Sequence, residues 1–150
     1  MMRLFIGSNV FYNLLFATEL TATARRVLEE HESADLYTSF VVVNEVLYVS
    51  TFKYYRDRGL VKGRYSFRRA LARHGYPRRV VAAFTSLLEE LGITLLSDWQ
   101  DLEELLEVML SYRLQPSDAQ IAVKCRRHGI GVIATFDDDF RRVPWLKVVP

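Results

Sequence analysis

Residues 3–16 read Arg-Leu-Phe-Ile-Gly-Ser-Asn-Val-Phe-Tyr-Asn-Leu-Leu-Phe. The run Arg3–Ile6 is short, apolar and stopped by Gly7-Ser8-Asn9, which marks a strand end followed by a helix start. Val10–Phe16 then reads as a buried helix. This strand–turn–helix unit sets the pattern for the rest of the chain. A second helix is expected from Thr21 to about Glu32, with Val27 and Leu28 facing inward, and Leu36–Ser39 is the next short strand. Phe40–Phe52 is almost continuously apolar, and its 13 residues favour a buried helix over a strand. Pro77 suits the first turn of a helix whose apolar face is Val80, Val81, Phe84, Leu87, Leu88 and Leu91. Ile93–Leu96 is a strand, and Asp98 is placed to cap a helix carrying Leu102, Leu105, Leu106, Met109 and Leu110. Pro116 opens a further helix that ends at Gly129. Val132–Ala134 and Leu146–Val149 complete the strands, with a loop or single turn over Phe136–Arg142 between them. Strands and helices alternate without linker, repeat or low-complexity segment. That alternation predicts an α/β fold, a three-layer α/β/α sandwich with a mainly parallel central sheet.

The chain has 150 residues, 50% of them hydrophobic and 25% charged, an ordinary globular composition for one domain spanning 1–150. One cysteine excludes a disulfide framework or a thiolate zinc site. Only His31, His74 and His128 could serve as bases, so triad chemistry has few candidates. No apolar run approaches the roughly 20 residues of a membrane span, and the start lacks a signal-peptide pattern. A cytoplasmic protein is expected. The net charge of +2 hides an asymmetry. Lys53–Arg79 holds ten Lys/Arg against Asp57 alone, whereas Val80–Tyr112 holds seven acids and no base. Such a split points to an anionic partner.

Ligands of open parallel sheets gather beyond the carboxyl ends of the strands. There the sequence places Gly7-Ser8-Asn9 after the first strand and Glu45 shortly after the second. Asp118 opens the Pro116 helix, and Asp137, Asp138 and Asp139 follow Val132–Ala134. Taken singly, Asp118 fits a first-turn acid and Asp137–Asp139 a solvated turn. Glu45 differs, because it follows three valines and has no partner nearby in sequence; a lone carboxylate there would cost several kcal/mol or turn neutral. Together these acids converge on one rim, with no basic residue adjacent to them in sequence. An oxygen-ligated Mg²⁺ or Mn²⁺ is the economical compensation. Haloacid-dehalogenase and receiver-type phosphoacceptor patterns need acids after the first strand, and no phosphate-binding glycine loop is present.

Four segments in register resemble the PIN-domain family, and within it the VapC-like toxins. They are Leu4–Val10, Val43–Leu47 (Val-Asn-Glu-Val-Leu), Pro116–Ala122 (Pro-Ser-Asp-Ala-Gln-Ile-Ala) and Ala134–Phe140 (Ala-Thr-Phe-Asp-Asp-Asp-Phe). The resemblance implies a Rossmann-like sandwich, Mg²⁺ or Mn²⁺ at a carboxylate cluster, hydrolytic cleavage of single-stranded RNA, an antitoxin partner and commonly a homodimer. It makes Glu45, Asp118 and Asp137 the metal-holding and catalytic residues, Asp139 an additional metal candidate, and Asn9 a support on the first-strand side. One position departs from the pattern: the family's Asp after the first strand is Gly7 here, so a ligand is missing. A catalytically inactive RNA- or antitoxin-binding module is the alternative this opens.

The basic stretch supplies a candidate RNA surface of Arg64, Arg68, Arg69 and Arg73 with Tyr65 and Phe67, cations for phosphates and rings for bases. An amphipathic helix pair with a solvated basic face, its aromatic rings in the core or at a dimer contact, would give the same pattern.

Overall fold

The computed structural model describes residues 2–97 and 101–150. Five strands form one sheet, β1 (Arg3–Ile6), β2 (Asp35–Ser39), β3 (Thr94–Leu96), β4 (Val132–Ala134) and β5 (Lys147–Val149). Their order is β3-β2-β1-β4-β5 and every pairing is parallel. The expected α/β sandwich is the fold found. β1 lies at the centre: Leu4 is in register with Leu36 on one side and Val132 on the other. Leu4, Phe5 and Ile6 are fully buried, as expected of a strand covered on both faces.

Among the described residues, seven helices link the strands: α1 (Ser8–Leu15), α2 (Thr21–Glu30), α3 (Phe40–Asp57), α4 (Arg64–His74), α5 (Arg78–Glu90), α6 (Leu102–Tyr112) and α7 (Pro116–Arg127). Helix α1 packs on α2, α3 and α5, while α6 and α7 pack on each other. The chain steps from β1 through β2 to β3, then returns past them to β4. With right-handed crossovers, that reversal puts the returning helices on the opposite face of the sheet.

Helix α3 runs five residues beyond the expected Phe52, because nothing breaks it before Gly59, whose φ of +72° ends the segment. Asp98, expected as a helix cap, lies outside the described residues; Asp101 caps α6 by accepting hydrogen bonds from the Glu103 and Glu104 amides. The basic stretch contains its own helix, α4. Phe67 and Ala70 on it are buried with Tyr55 and Val61 in a small satellite core. Cys125 is buried in the main core, and burial pushes its thiol up, away from reactivity. Among the described residues, no helix is long and apolar enough to cross a membrane.

Phe11 of α1 is fully buried and meets Phe84 of α5 edge-on, with ring centroids 5.5 Å apart. Phe11→Ala is expected to cost about 3–5 kcal/mol, read as a lower urea midpoint with an unchanged slope.

Candidate metal centre

The order of connection reverses between the parallel neighbours β1 and β4, whose carboxyl ends lead into different connections, the place where open parallel sheets bind ligands. From β1 come Gly7, Ser8 and Asn9. From β4 come Thr135, Phe136 and Asp137, followed by a 3-10 turn over Asp138–Arg142. Asn9 ties the two loops together. Its Oδ1 accepts a hydrogen bond from the Phe136 amide (3.0 Å) and one from Thr135 Oγ1 (3.3 Å). Thr135 Oγ1 in turn accepts from the Asp137 amide, and Asp137 Oδ1 accepts from the Asp139 amide. The turn therefore holds Asp137 and Asp139 through their own backbone.

Asp118 sits in the first turn of α7, where the helix N-terminus favours a negative charge. Carboxylate oxygens of Asp118, Asp137 and Asp139 lie within 4.8 Å of one another. Glu45, in the second turn of α3, is outside that set but near enough to act on Asp118 electrostatically. Its Oε2 accepts a hydrogen bond from Ser8 Oγ (2.9 Å), whereas Oε1 is buried without a partner. A buried acceptor left open near Asp118 fits a cation-binding group. Burial pushes the Asp118 carboxyl up to about 6, with the charges of Asp137, Glu45 and Asp139 adding to the effect and Arg142 opposing it.

No basic residue is adjacent to these acids in sequence, yet the fold brings one to them. Arg142, three residues after Asp139, donates to Asp139 Oδ1 (2.9 Å). The same guanidinium donates to the carbonyls of Tyr112 (2.8 Å) and Arg113 (2.7 Å), where α6 ends in a left-handed turn. It thereby satisfies free carbonyls of that helix end and fixes one aspartate. Spacing of i,i+3 across a single turn was the available signal. Glu45's partner Ser8 was invisible for another reason, since 37 residues separate them.

Gly7 is buried, and its backbone is extended (φ −82°, ψ 167°), a conformation open to any residue. A Cβ there would lie 3.2 Å from the Ala134 carbonyl oxygen and 3.4 Å from Thr135 Cβ. An Asp at this position thus requires a shift of a few tenths of an ångström between β1 and β4, not a different backbone.

The sequence profile of the PIN domain matches residues 4–146. The chain belongs to the PIN domain family. Ribonuclease VapC6 of Methanocaldococcus jannaschii is 25% identical to this PIN domain over 151 aligned positions, covering 98% of this chain and 96% of that protein. Ribonuclease VapC2 of the same organism is 42% identical, but over 43 residues, 29% of each protein. Two solved structures share the fold. VapC20 of Mycobacterium tuberculosis, described as a sarcin–ricin loop cleaving toxin, superposes with a TM-score of 0.66 at 21% identity, covering 98% of this chain and 99% of that one. VapBC2 of Rickettsia felis, solved with a DNA fragment from its promoter, gives 0.66 at 13% identity over 99% and 98%.

The candidate RNA surface on α4 is changed by the structure. Arg68, Arg69 and Arg73 are exposed, but Phe67 is only 4% exposed. Its ring packs against Tyr48 and Phe52 of α3, with centroids 5.0 and 5.7 Å away. It is a core residue and cannot stack on a base. The side chains of Arg64 and Tyr65 lie outside the described structure.

Two measurements follow from this geometry. Because the folded-state pKa of Asp118 is raised, the metal-free folded protein holds a proton that the unfolded chain releases near pH 4. That contribution to stability is lost as pH rises through about 6. Metal-free Asp118→Asn should therefore melt above the parent at pH 7.5, and the gap should close by pH 4. Asn9→Ala removes the acceptor of two hydrogen bonds and should cost about 1–3 kcal/mol in urea unfolding.

Proposed function

We propose that this chain is a divalent-metal-dependent endoribonuclease that cleaves single-stranded RNA and acts as the cytoplasmic toxin of a toxin–antitoxin pair. The observation that carries the reading is the carboxylate cluster at the β1–β4 crevice, with Glu45 Oε1 buried and unpartnered beside Asp118, Asp137 and Asp139. Full-length similarity to a VapC ribonuclease supports the RNA substrate. Glu45, Asp118 and Asp137 would hold Mg²⁺ or Mn²⁺, with Asp139 as a further oxygen donor; an all-oxygen set suits these hard cations. A bound ion supplies charge compensation and Lewis acidity for phosphodiester hydrolysis. Ser8 orients Glu45 by fixing Oε2, which leaves Oε1 for the cation. Asn9 sets the distance between the β1 and β4 loops, and Arg142 keeps one oxygen of Asp139 turned toward α6.

An antitoxin is the proposed protein partner, since two structures of similar fold are complexes named VapBC and a third is named FitAB, all three bound to DNA. A homodimer is proposed on a different surface. Leu102, Leu106 and Leu110 form an i, i+4, i+8 stripe on α6 and are 68%, 44% and 82% exposed.

Gly7 favours a second reading, an inactive PIN module that binds RNA or antitoxin without cutting. One experiment separates the two. The chain and its Gly7→Asp variant are incubated with single-stranded RNA and Mn²⁺, with EDTA as the control. Metal-dependent cleavage by the parent chain, abolished in Asp137→Asn, is the expected result. Cutting by Gly7→Asp alone would mean that this chain is disabled at one ligand, and cutting by neither would favour the binding module. In calorimetry, Gly7→Asp should tighten Mn²⁺ on the order of tenfold or more. Equal affinities would show that position 7 holds no metal in this chain.

A further inference from the structure

We infer that the groove between α1 and α3, leading away from the carboxylates, is the track for the RNA strand, and this rests on the ribonuclease reading above. On α3, Glu45, Tyr48 with Val49, Phe52 and Arg56 recur at i, i+3/i+4, i+7 and i+11, one continuous stripe. On α1, Ser8, Tyr12 and the capping residue Phe16 recur every four residues. The two stripes meet at the metal centre, where Ser8 donates to Glu45. Further along lies a cavity of about 460 Å³ lined by Tyr12 of α1 and by Tyr48, Val49, Phe52, Lys53 and Arg56 of α3. From Glu45 to Arg56 the helix rises about 16 Å, a span for a few nucleotides of single strand.

The lining suits that occupant. Tyr48 is 46% exposed and backed from behind by Phe67, so its ring is held rather than loose. Tyr12 lies against Phe16, with ring centroids 5.0 Å apart. Cations stand over these rings: Lys53 Nζ is 5.4 Å from the Phe16 centroid and the Arg56 guanidinium 6.0 Å from that of Phe52. Lys53 also pairs with Asp57 at 2.9 Å, which leaves the exposed Arg56 as the main phosphate contact. Flat rings interleaved with positive charge bind a single strand without regard to base. This groove, unlike the outer face of α4, begins at the residues that would hold the metal. It also explains why α4 turns its aromatic ring inward: Phe67 supports the floor of the track, while Arg68, Arg69 and Arg73 remain exposed on the same helix.

The test is fluorescence anisotropy with a fluorescein-labelled single-stranded RNA in EDTA, which keeps the RNA intact, across a salt series. Tyr48→Ala should weaken binding about tenfold at every salt concentration, and Tyr48→Phe should restore it. The surface variant Lys53→Gln/Arg56→Gln should flatten the log–log salt slope by about 0.7 for each phosphate that is no longer neutralised. Parent-like affinity and slope in both variants would overturn the track. If the parent chain still cut RNA with Mn²⁺ in that case, the ribonuclease reading would stand and the strand would lie elsewhere, as on the α4 arginines. A parent chain that neither binds nor cuts RNA would overturn both. Unchanged RNA affinity together with weakened binding to an acidic peptide, or weakened self-association, would assign the groove to a protein partner instead.

Discussion

Like-charged carboxylates held close together are the constraint around which this molecule is arranged. Asp118, Asp137 and Asp139 bring oxygens within 4.8 Å of one another, and Glu45 adds a fourth charge nearby. Such a cluster opposes folding unless something holds it. Here the holding is structural. β1 is buried at the centre of a parallel sheet, Asn9 fastens its loop to that of β4, and the Asp139 backbone amide of the 3-10 turn takes up Asp137. Arg142 is bonded to the cluster through Asp139, and it spends most of its donors on the end of α6. The residual charge is available for a divalent ion.

The charge asymmetry of the sequence becomes a division between surfaces. Basic residues fall on the far half of α3, on α4 and on the first turn of α5. Acids fall on the end of α5 and on α6, which lies against α7. There Glu104 pairs with Arg126 at 3.0 Å and ties the two helices together. The proposed RNA strand and the proposed second copy would thus use different faces of one small molecule, the first the rings and cations of α1 and α3, the second the leucine stripe of α6.

Much of the fold was legible because each strand is short, apolar and punctuated by glycine, proline or a capping residue. All five strands fall where the sequence places them, to within a residue at either end. Helix ends were less legible: α3 continues past Phe52 because Lys53, Tyr54 and Tyr55 are as compatible with helix as the valines before them. The candidate acids were legible from their positions after strands, for Glu45 and Asp137–Asp139, and from a helix start, for Asp118. Less so were the groups that position them, Ser8, Thr135 and Arg142. A hydroxyl close to a strand end has many possible partners, and only packing chooses one. Phe67 is the instructive miss. Alternation of rings and bases suits an RNA surface and an amphipathic helix equally, and the deciding signal was the helical spacing of Phe67, Ala70 and Leu71 against Arg68, Arg69 and Arg73.

By itself, then, the sequence determined the order of strands and helices, the parallel sheet, and which acids stand at strand ends, since these depend on local periodicity and on the handedness of crossovers. Tertiary structure decided which of those acids share a site, which oxygen of Glu45 is left open, and that α1 and α3 enclose an aromatic groove between them. Those outcomes depend on distances between residues far apart in the chain, and such distances exist only once α3 and α7 have docked on the sheet.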